Sequence, residues 1–436
     1  MYKDIEKKKD SVFGVKNISV EGSPKIPRHR WFHFKEAFSP EIVSKAIEDS
    51  SCSYDDLVID VFSGSGTVPL VSAFNGSKAL GFEVNPFMQF VSSTKLSQCR
   101  VETLDKFHKE VLSGAIVGCP SALESYSTFT EGDGLSKWLF NLDVLRAFEG
   151  GWQKTENKNK SAARDLNRLA LIGAALDVAN ATKDGKCLRY RSEWEKKKFD
   201  KYDFFGAYEK RIEIIKEDLL VNPLMDHNAS IKIADSRAFK HYSKMKEKFK
   251  LCVMSPPYLN SFDYTDVYRP ELFLGKFVNS NEQLQKLRFE TLRSHVQVKW
   301  AKPMSDNFGT HFKQAFSSIS ERVDSLWNKR IPMMIQAYFE DMKLILGNLK
   351  SVAKQDASVW IIVSTSSYAG IEIPVDLIIA DIGSSMGWYL REVNVMRYLK
   401  RVSGQQWDQL SENKGDRPHL RESVIIFDAN ARKNVI

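Results

Sequence analysis

The chain has 436 residues, with 63 Lys plus Arg against 55 Asp plus Glu and a formal net charge of +8. Its 43% hydrophobic and 27% charged fractions exclude a disordered or collagen-like chain, and its length allows a large core without staples. No apolar run approaches the roughly 18 residues of a membrane span, and the N-terminal Met-Tyr-Lys-Asp-Ile-Glu-Lys-Lys-Lys-Asp is too polar for a secretory signal. The five cysteines never form Cys-x-x-Cys, so neither a disulfide framework nor a zinc site is expected. These features read as a soluble, cytoplasmic protein whose mild positive charge leans toward a polyanionic partner.

Along the chain, the first thirty residues read as a loose polar arm. Ser39 is an N-cap and Pro40 the first position of a helix through Ala46. Leu57–Phe62 is a short apolar run that predicts a buried parallel strand. A helix over Thr67–Asn75, stopped by Gly76, and a second strand over Ala79–Glu83 follow. Strand, glycine turn, helix and strand open a doubly wound α/β sheet. The next strand-like runs come only at Ile231–Ala234 and Leu251–Met254. The intervening stretch is mostly helical in pattern and too long for a βα connection, so it reads as a helical insertion. Its strongest stripe covers Leu166–Ala181, bounded by Lys183-Asp184-Gly185. A second insertion, rich in Lys, Arg and aromatics, spans Leu259–Asn328. A helix over Met333–Ala353, a strand over Val359–Val363, a helix over Pro374–Gly387 and strands at Val393–Tyr398 and Ser423–Phe427 complete the sheet. The expected organisation is an arm and first half-sheet (1–95), a helical insertion (96–228), central strands (229–258), a second insertion (259–330) and the second half-sheet (331–436).

Three clusters carry chemistry. Asp60-Val61-Phe62-Ser63-Gly64-Ser65-Gly66-Thr67 ends the first strand in a glycine turn that lets backbone approach a ligand. Pro69 stands where a dinucleotide fingerprint needs its third glycine, which weakens an NAD reading. Glu83, ending the next strand, can accept both hydroxyls of a ribose. Ser255-Pro256-Pro257-Tyr258 directly follows the Leu251–Met254 strand. Its prolines fix an extended turn and remove two donors, so the serine oxygen and a carbonyl can hold an exocyclic amine while Tyr258 stacks on the base.

Together these residues resemble the S-adenosylmethionine-dependent DNA amino-methyltransferases, which modify adenine N6 or cytosine N4. Arg28 to Pro40 resembles the cofactor segment that precedes the glycine motif in this family, and Asp235-Ser236-Arg237 its acidic residue near the cofactor adenine. Ser364 to Gly370 and Leu420-Arg421-Glu422-Ser423 resemble late-sheet segments of bacterial enzymes. The resemblance covers both halves of the sheet and neither insertion. It implies a Rossmann-like class I methyltransferase fold with S-adenosylmethionine held by Phe32, Phe38, Ser39, Asp60, Phe62, Gly64, Gly66, Thr67, Glu83, Asp235 and Ser236. It implies catalysis by Ser255, Pro256, Pro257 and Tyr258, double-stranded DNA as substrate and a cognate restriction endonuclease as partner. Ser-Pro-Pro-Tyr is more typical of cytosine-N4 than of adenine-N6 enzymes. Val61 departs from the proline the family often has there. Arg288, Arg293, Lys299 and Lys302, interleaved with aromatics, are candidates for phosphate contact. An RNA exocyclic-amine methyltransferase and a silent nucleic-acid-binding subunit are the alternatives.

Overall fold

The computed structural model describes residues 26–156, 159–184, 187–196, 198–224, 227–399 and 420–431. Its first elements are α1 (Pro40–Asp49), β1 (Leu57–Asp60), α2 (Thr67–Phe74), β2 (Lys78–Glu83) and α3 (Pro86–Leu96). Then come α4 (Val101–Val117), α5 (Leu142–Glu156), α6 (Ala162–Asp177), β3 (Ala181–Asp184), β4 (Cys187–Tyr190) and α7 (Lys201–Val221). The middle of the chain holds β5 (Ala229–Ile233), α8 (Phe239–Tyr242), β6 (Phe249–Met254), α9 (Tyr264–Val267), α10 (Arg269–Leu274), α11 (Asn281–Glu290) and α12 (Thr310–Glu321). The last part is α13 (Ile331–Ser351), β7 (Ala353–Ser364), β8 (Ser366–Tyr368), β9 (Ile371–Ile373), α14 (Val375–Ser385), β10 (Tyr389–Tyr398) and β11 (Arg421–Asp428). None of the described helices is long and apolar enough to cross a membrane.

Seven strands form one sheet in the order β10-β11-β7-β6-β1-β2-β5. The five from β5 to β7 run parallel, and β11 is antiparallel to both β7 and β10. This is a doubly wound, class I methyltransferase-like sheet. Successive strands move one way from β1 to β2 to β5 and the other way from β6 to β7. The reversal between β1 and β6 opens the crevice where such sheets bind ligands. The central strands read as continuous apolar runs because both faces are covered: Val58, Leu251, Val253 and Val359 are fully buried. Ser39 caps α1 through the Glu41 amide, with Pro40 at the first helical position.

The structure differs from the sequence reading in three places. The loose arm gives way by Arg28, whose side chain is fully buried and donates to the carbonyls of Lys95, Ser97 and Asn222, while its backbone N–H donates to Asp218. Residues 1–25 lie outside the described residues. The first insertion is not strand-free, because β3 and β4 pair as an antiparallel hairpin where a helix boundary was expected. The second insertion does not pack as one unit. Leu272, Phe273, Leu284 and Leu287 join a core with α4 to α7, whereas Leu292, Val296, Phe308, Phe312 and Ile319 join the core beneath β6 and β7.

In the helical core, α4 and α5 approach so closely that glycines are required on both sides. A Cβ on Gly114 would stand 2.4 Å from the Gly150 carbonyl oxygen, and one on Gly150 2.3 Å from that of Gly114. Gly150→Ala is therefore expected to destabilise the chain by about 1–3 kcal/mol, the range for overpacking a filled core. A thermal melt unchanged from wild type would contradict this packing.

Candidate active site

A cavity of about 730 Å³ runs from the turn after β1 to the segment after β6. At the first end, the backbone N–H groups of Gly64 and Asn85 donate to the two oxygens of Glu83 at 2.7 and 2.8 Å. Glu83 is thereby locked across the turn. Burial raises its pKa, and these amide donors counter the rise. Gly64 has φ 48°, and a Cβ there would come within 3.1 Å of the Phe34 ring. Asp60 lies beneath the turn, accepts from the Phe62 N–H at 2.9 Å and is 1% exposed. Burial pushes its pKa up to about 8, with the Phe62 bond opposing and the nearby Glu83 charge adding to the rise.

At the other end, the Ser255 hydroxyl donates to the Ile362 carbonyl on β7 at 3.1 Å. Its single O–H is used there, which leaves the oxygen to act as an acceptor. The Tyr258 hydroxyl donates to Glu422 Oε1 on β11 at 2.6 Å, and Arg397 Nε on β10 donates to Glu422 Oε2 at 2.7 Å. Burial and the Glu422 carboxylate hold the Tyr258 phenol well above its usual pKa, so it stays neutral. The side walls are aromatic, with Phe34 and Tyr268 rings 5.5 Å apart and Phe262 edge-on to Tyr264 at 4.5 Å.

Of the sequence candidates, Phe38, Phe62, Gly64, Thr67, Glu83, Asp235, Ser236 and Ser255 to Tyr258 all line this cavity. Phe32, Ser39, Asp60 and Gly66 do not. Phe32 packs edge-on to Phe87 in the helical core, one layer behind Phe34. Ser39 caps α1. Gly66 is required by the turn, at φ 83° and with its missing Cβ 2.8 Å from Ser92 Cβ. Two of the basic candidates are ion-paired within the protein. Arg293 is held by Asp341 and Glu340, and Arg288 by Asp263 at 2.7 Å, so both guanidiniums are neutralised within the protein. Lys299 and Lys302 are exposed. The sequence reading missed Phe34, Tyr264, Tyr268, Arg397 and the role of Glu422. Phe34 lies two residues from Phe32, and the sequence does not say which of the two rings faces the cavity. Tyr264 and Tyr268 carried no comparable signal.

S-adenosylmethionine, the cofactor the resemblance implies, fits the first end of this cavity. The Gly64 side leaves open a cradle that a side chain would fill, and Glu83 presents a fixed carboxylate to a ribose. The buried Ser63 Oγ in the cavity wall has no partner among the described residues, an orphan that a bound polar group would satisfy.

Asp60 also makes a stability prediction. Between its ordinary pKa of 3.8 and about 8, the folded chain binds a proton that the unfolded chain releases, so this group lowers stability as the pH rises. Asp60→Asn keeps an acceptor for the Phe62 N–H and removes the titration. The variant should gain on wild type by up to about 1.4 kcal/mol per pH unit between pH 5 and 8. Parallel denaturation curves across that range would refute the raised pKa.

No protein-family model matches the chain. Sequence relatives do. The type II methyltransferase M.BsoBI of Geobacillus stearothermophilus is 26% identical over 95% of this chain and 88% of its own length. The type II methyltransferases M.AvaI of a Nostoc species and of Anabaena variabilis are each 26% identical over 94% of this chain and 88% of theirs. Among solved structures, TrmN from Thermus thermophilus is 8% identical over 93% of this chain and 52% of its own. The rRNA methyltransferase aviRa from Streptomyces viridochromogenes is 10% identical over 92% of this chain and 89% of its own. Each superposes with a TM-score of 0.31, too loosely to bear on fold or chemistry. Over nearly its whole length, then, this chain is similar to these three type II methyltransferases.

Proposed function

We propose that the chain is a site-specific DNA methyltransferase that moves a methyl group from S-adenosylmethionine to an exocyclic amine of a flipped base, N4 of cytosine in preference to N6 of adenine. The observation that carries the reading is the single cavity joining the Glu83–Gly64 cradle to Ser255-Pro256-Pro257-Tyr258. When bound, the cofactor supplies a methyl group already activated on a sulfonium. The protein's part is alignment and electrostatics. Ser255 Oγ, with its proton on Ile362, accepts one N–H of the target amine, and the Pro256 carbonyl accepts the other. Both bonds strengthen as positive charge grows on the nitrogen, which stabilises the transition state more than the bound base. Tyr258, fixed through its hydroxyl, presents its ring to the base. A paired base cannot reach this recess, so it must leave the helix at a cost of a few kcal/mol. The preference for cytosine N4 rests on serine as the first residue of the motif. In this reading the modification shields a recognition sequence from a partner endonuclease.

The test is expression in a methylation-deficient bacterial host, followed by sequencing that detects N4-methylcytosine and N6-methyladenine. One motif methylated at cytosine N4 throughout the genome is expected. Methylation at adenine N6 would overturn the base preference, and an unmodified genome with folded, cofactor-binding protein would move the substrate to RNA. Ser255→Ala should lower kcat about a hundredfold, as loss of one preorganised hydrogen-bonding group does, with cofactor affinity unchanged by calorimetry. Equal loss of cofactor affinity would remove Ser255 from the amine end.

A further inference from the structure

Arg397 lies on the edge strand β10 beside the Ser-Pro-Pro-Tyr motif, and the methyl-transfer scheme gives it no task. The pairing of β10 with β11 shifts register between Val395 and Arg397, where two residues of β10 advance against one of β11. Such a bulge re-aims side chains. The consecutive residues Met396 and Arg397 both line the cavity, an arrangement that regular alternation along a strand does not give. The Arg397 side chain is 43% exposed, whereas that of its partner Glu422 is 10% exposed. Nε is tied to Glu422, and the two Nη groups have no hydrogen-bond partner among the described residues. A guanidinium fixed along one edge offers its other N–H groups as a rigid fork, the geometry that suits a phosphate.

The surroundings select among anions. The cradle for the cofactor is at the opposite end of the cavity, around Glu83 and Gly64. Arg397 stands instead at the end that holds Tyr258, to which it is joined through the two oxygens of one carboxylate. A base that swings out of a duplex turns about its own backbone, so the phosphate next to it follows to the rim of the base pocket. We propose that Arg397 receives the phosphate flanking the flipped nucleotide, and that Glu422 transmits this contact to Tyr258, so that backbone docking and the setting of the aromatic platform are one event. Arg397 is thus a DNA-contact residue, and Glu422 a positioning residue. The proposal rests on the DNA methyltransferase reading above.

The experiment uses the full chain with bound cofactor and a duplex carrying the motif it methylates in the host genome. Arg397→Ala should weaken duplex binding on the order of tenfold, the loss of one charge-assisted contact, and flatten the slope of log affinity against log salt by about one. Cofactor affinity should stay at the wild-type value, which also reports that the variant is folded. Arg397→Lys should restore the salt slope while recovering only part of the affinity, because a point charge replaces the fork. In a scan of neutral methylphosphonates around the target base, one position should weaken the wild type by the same factor and leave Arg397→Ala unaffected. Wild-type affinity and salt slope in Arg397→Ala, with only kcat reduced, would overturn the phosphate contact and leave Arg397 as a strut for Glu422. Failure of the wild-type chain to methylate any DNA would overturn the underlying reading, and the proposal with it.

Discussion

The parallel pairing of β1 with β6 is the constraint on which the rest of the site depends. Its register sets Val58 opposite Leu251 and Ile59 opposite Cys252, so the two strands end almost level. One strand runs on into the glycine turn and the other into Ser255-Pro256-Pro257-Tyr258. Neither segment makes a site alone. They face the same crevice because the chain order reverses between these two strands. The pairing is secured by side chains buried on both faces of the sheet, where a slip of one residue would exchange the side chains fitted into the two close-packed cores and misfit both. The location of the cavity is therefore a consequence of core packing, and loops need only supply its chemistry.

The walls are fixed by long-range contacts of a different kind. The Tyr268 hydroxyl donates to Glu36 at 2.6 Å, joining the second insertion to the N-terminal segment. Lys183, from the hairpin of the first insertion, bonds to the buried Glu271 and sits 3.5 Å from the centroid of the Tyr268 ring. Burial lowers the pKa of that lysine, while the Glu271 charge opposes the fall. A buried ion pair of this sort adds little net stability, because desolvation offsets the attraction. Its effect is geometric, since together with the Tyr268–Glu36 bond it holds three distant pieces of chain around one aromatic wall. The mostly apolar helical core behind them carries the stability.

What was legible in the sequence follows the same division. Leu57–Asp60, Lys78–Glu83 and Phe249–Met254 announce themselves as short apolar runs because both of their faces are covered. Ser39 and Pro40 mark a helix start by local chemistry alone. The β3–β4 hairpin escaped because Ala181–Asp184 alternates between buried and exposed positions and is too short for its period to register against the preceding helix. Asp184-Gly185 was the available turn signal. The split of the second insertion between two cores was not readable, since Leu287 and Leu292 differ in nothing local; only their distant neighbours separate them. Phe34 and Phe32 differ by one layer of packing, which no periodicity resolves.

Charge gives the clearest case of information that composition lacks. A net charge of +8 treats every arginine alike, yet many of them are neutralised inside the fold. Arg237 and Arg293 share Asp341, a carboxylate that is 1% exposed on α13, and Arg421 is held by the fully buried Asp376. These pairs stitch the insertion and the late strands to the sheet and add no field at the surface. Lys299 and Lys302 are of the opposite kind, exposed on a loop whose next residues, Met304 and Ser305, are anchored by their backbone N–H groups to Glu340. The same Glu340 accepts from Arg293, whose neighbours Leu292 and Ser294 line the cavity. An arginine that looked like a phosphate contact thus braces, through Glu340, the loop that follows two exposed lysines, while its own charge is taken up by carboxylates inside the fold.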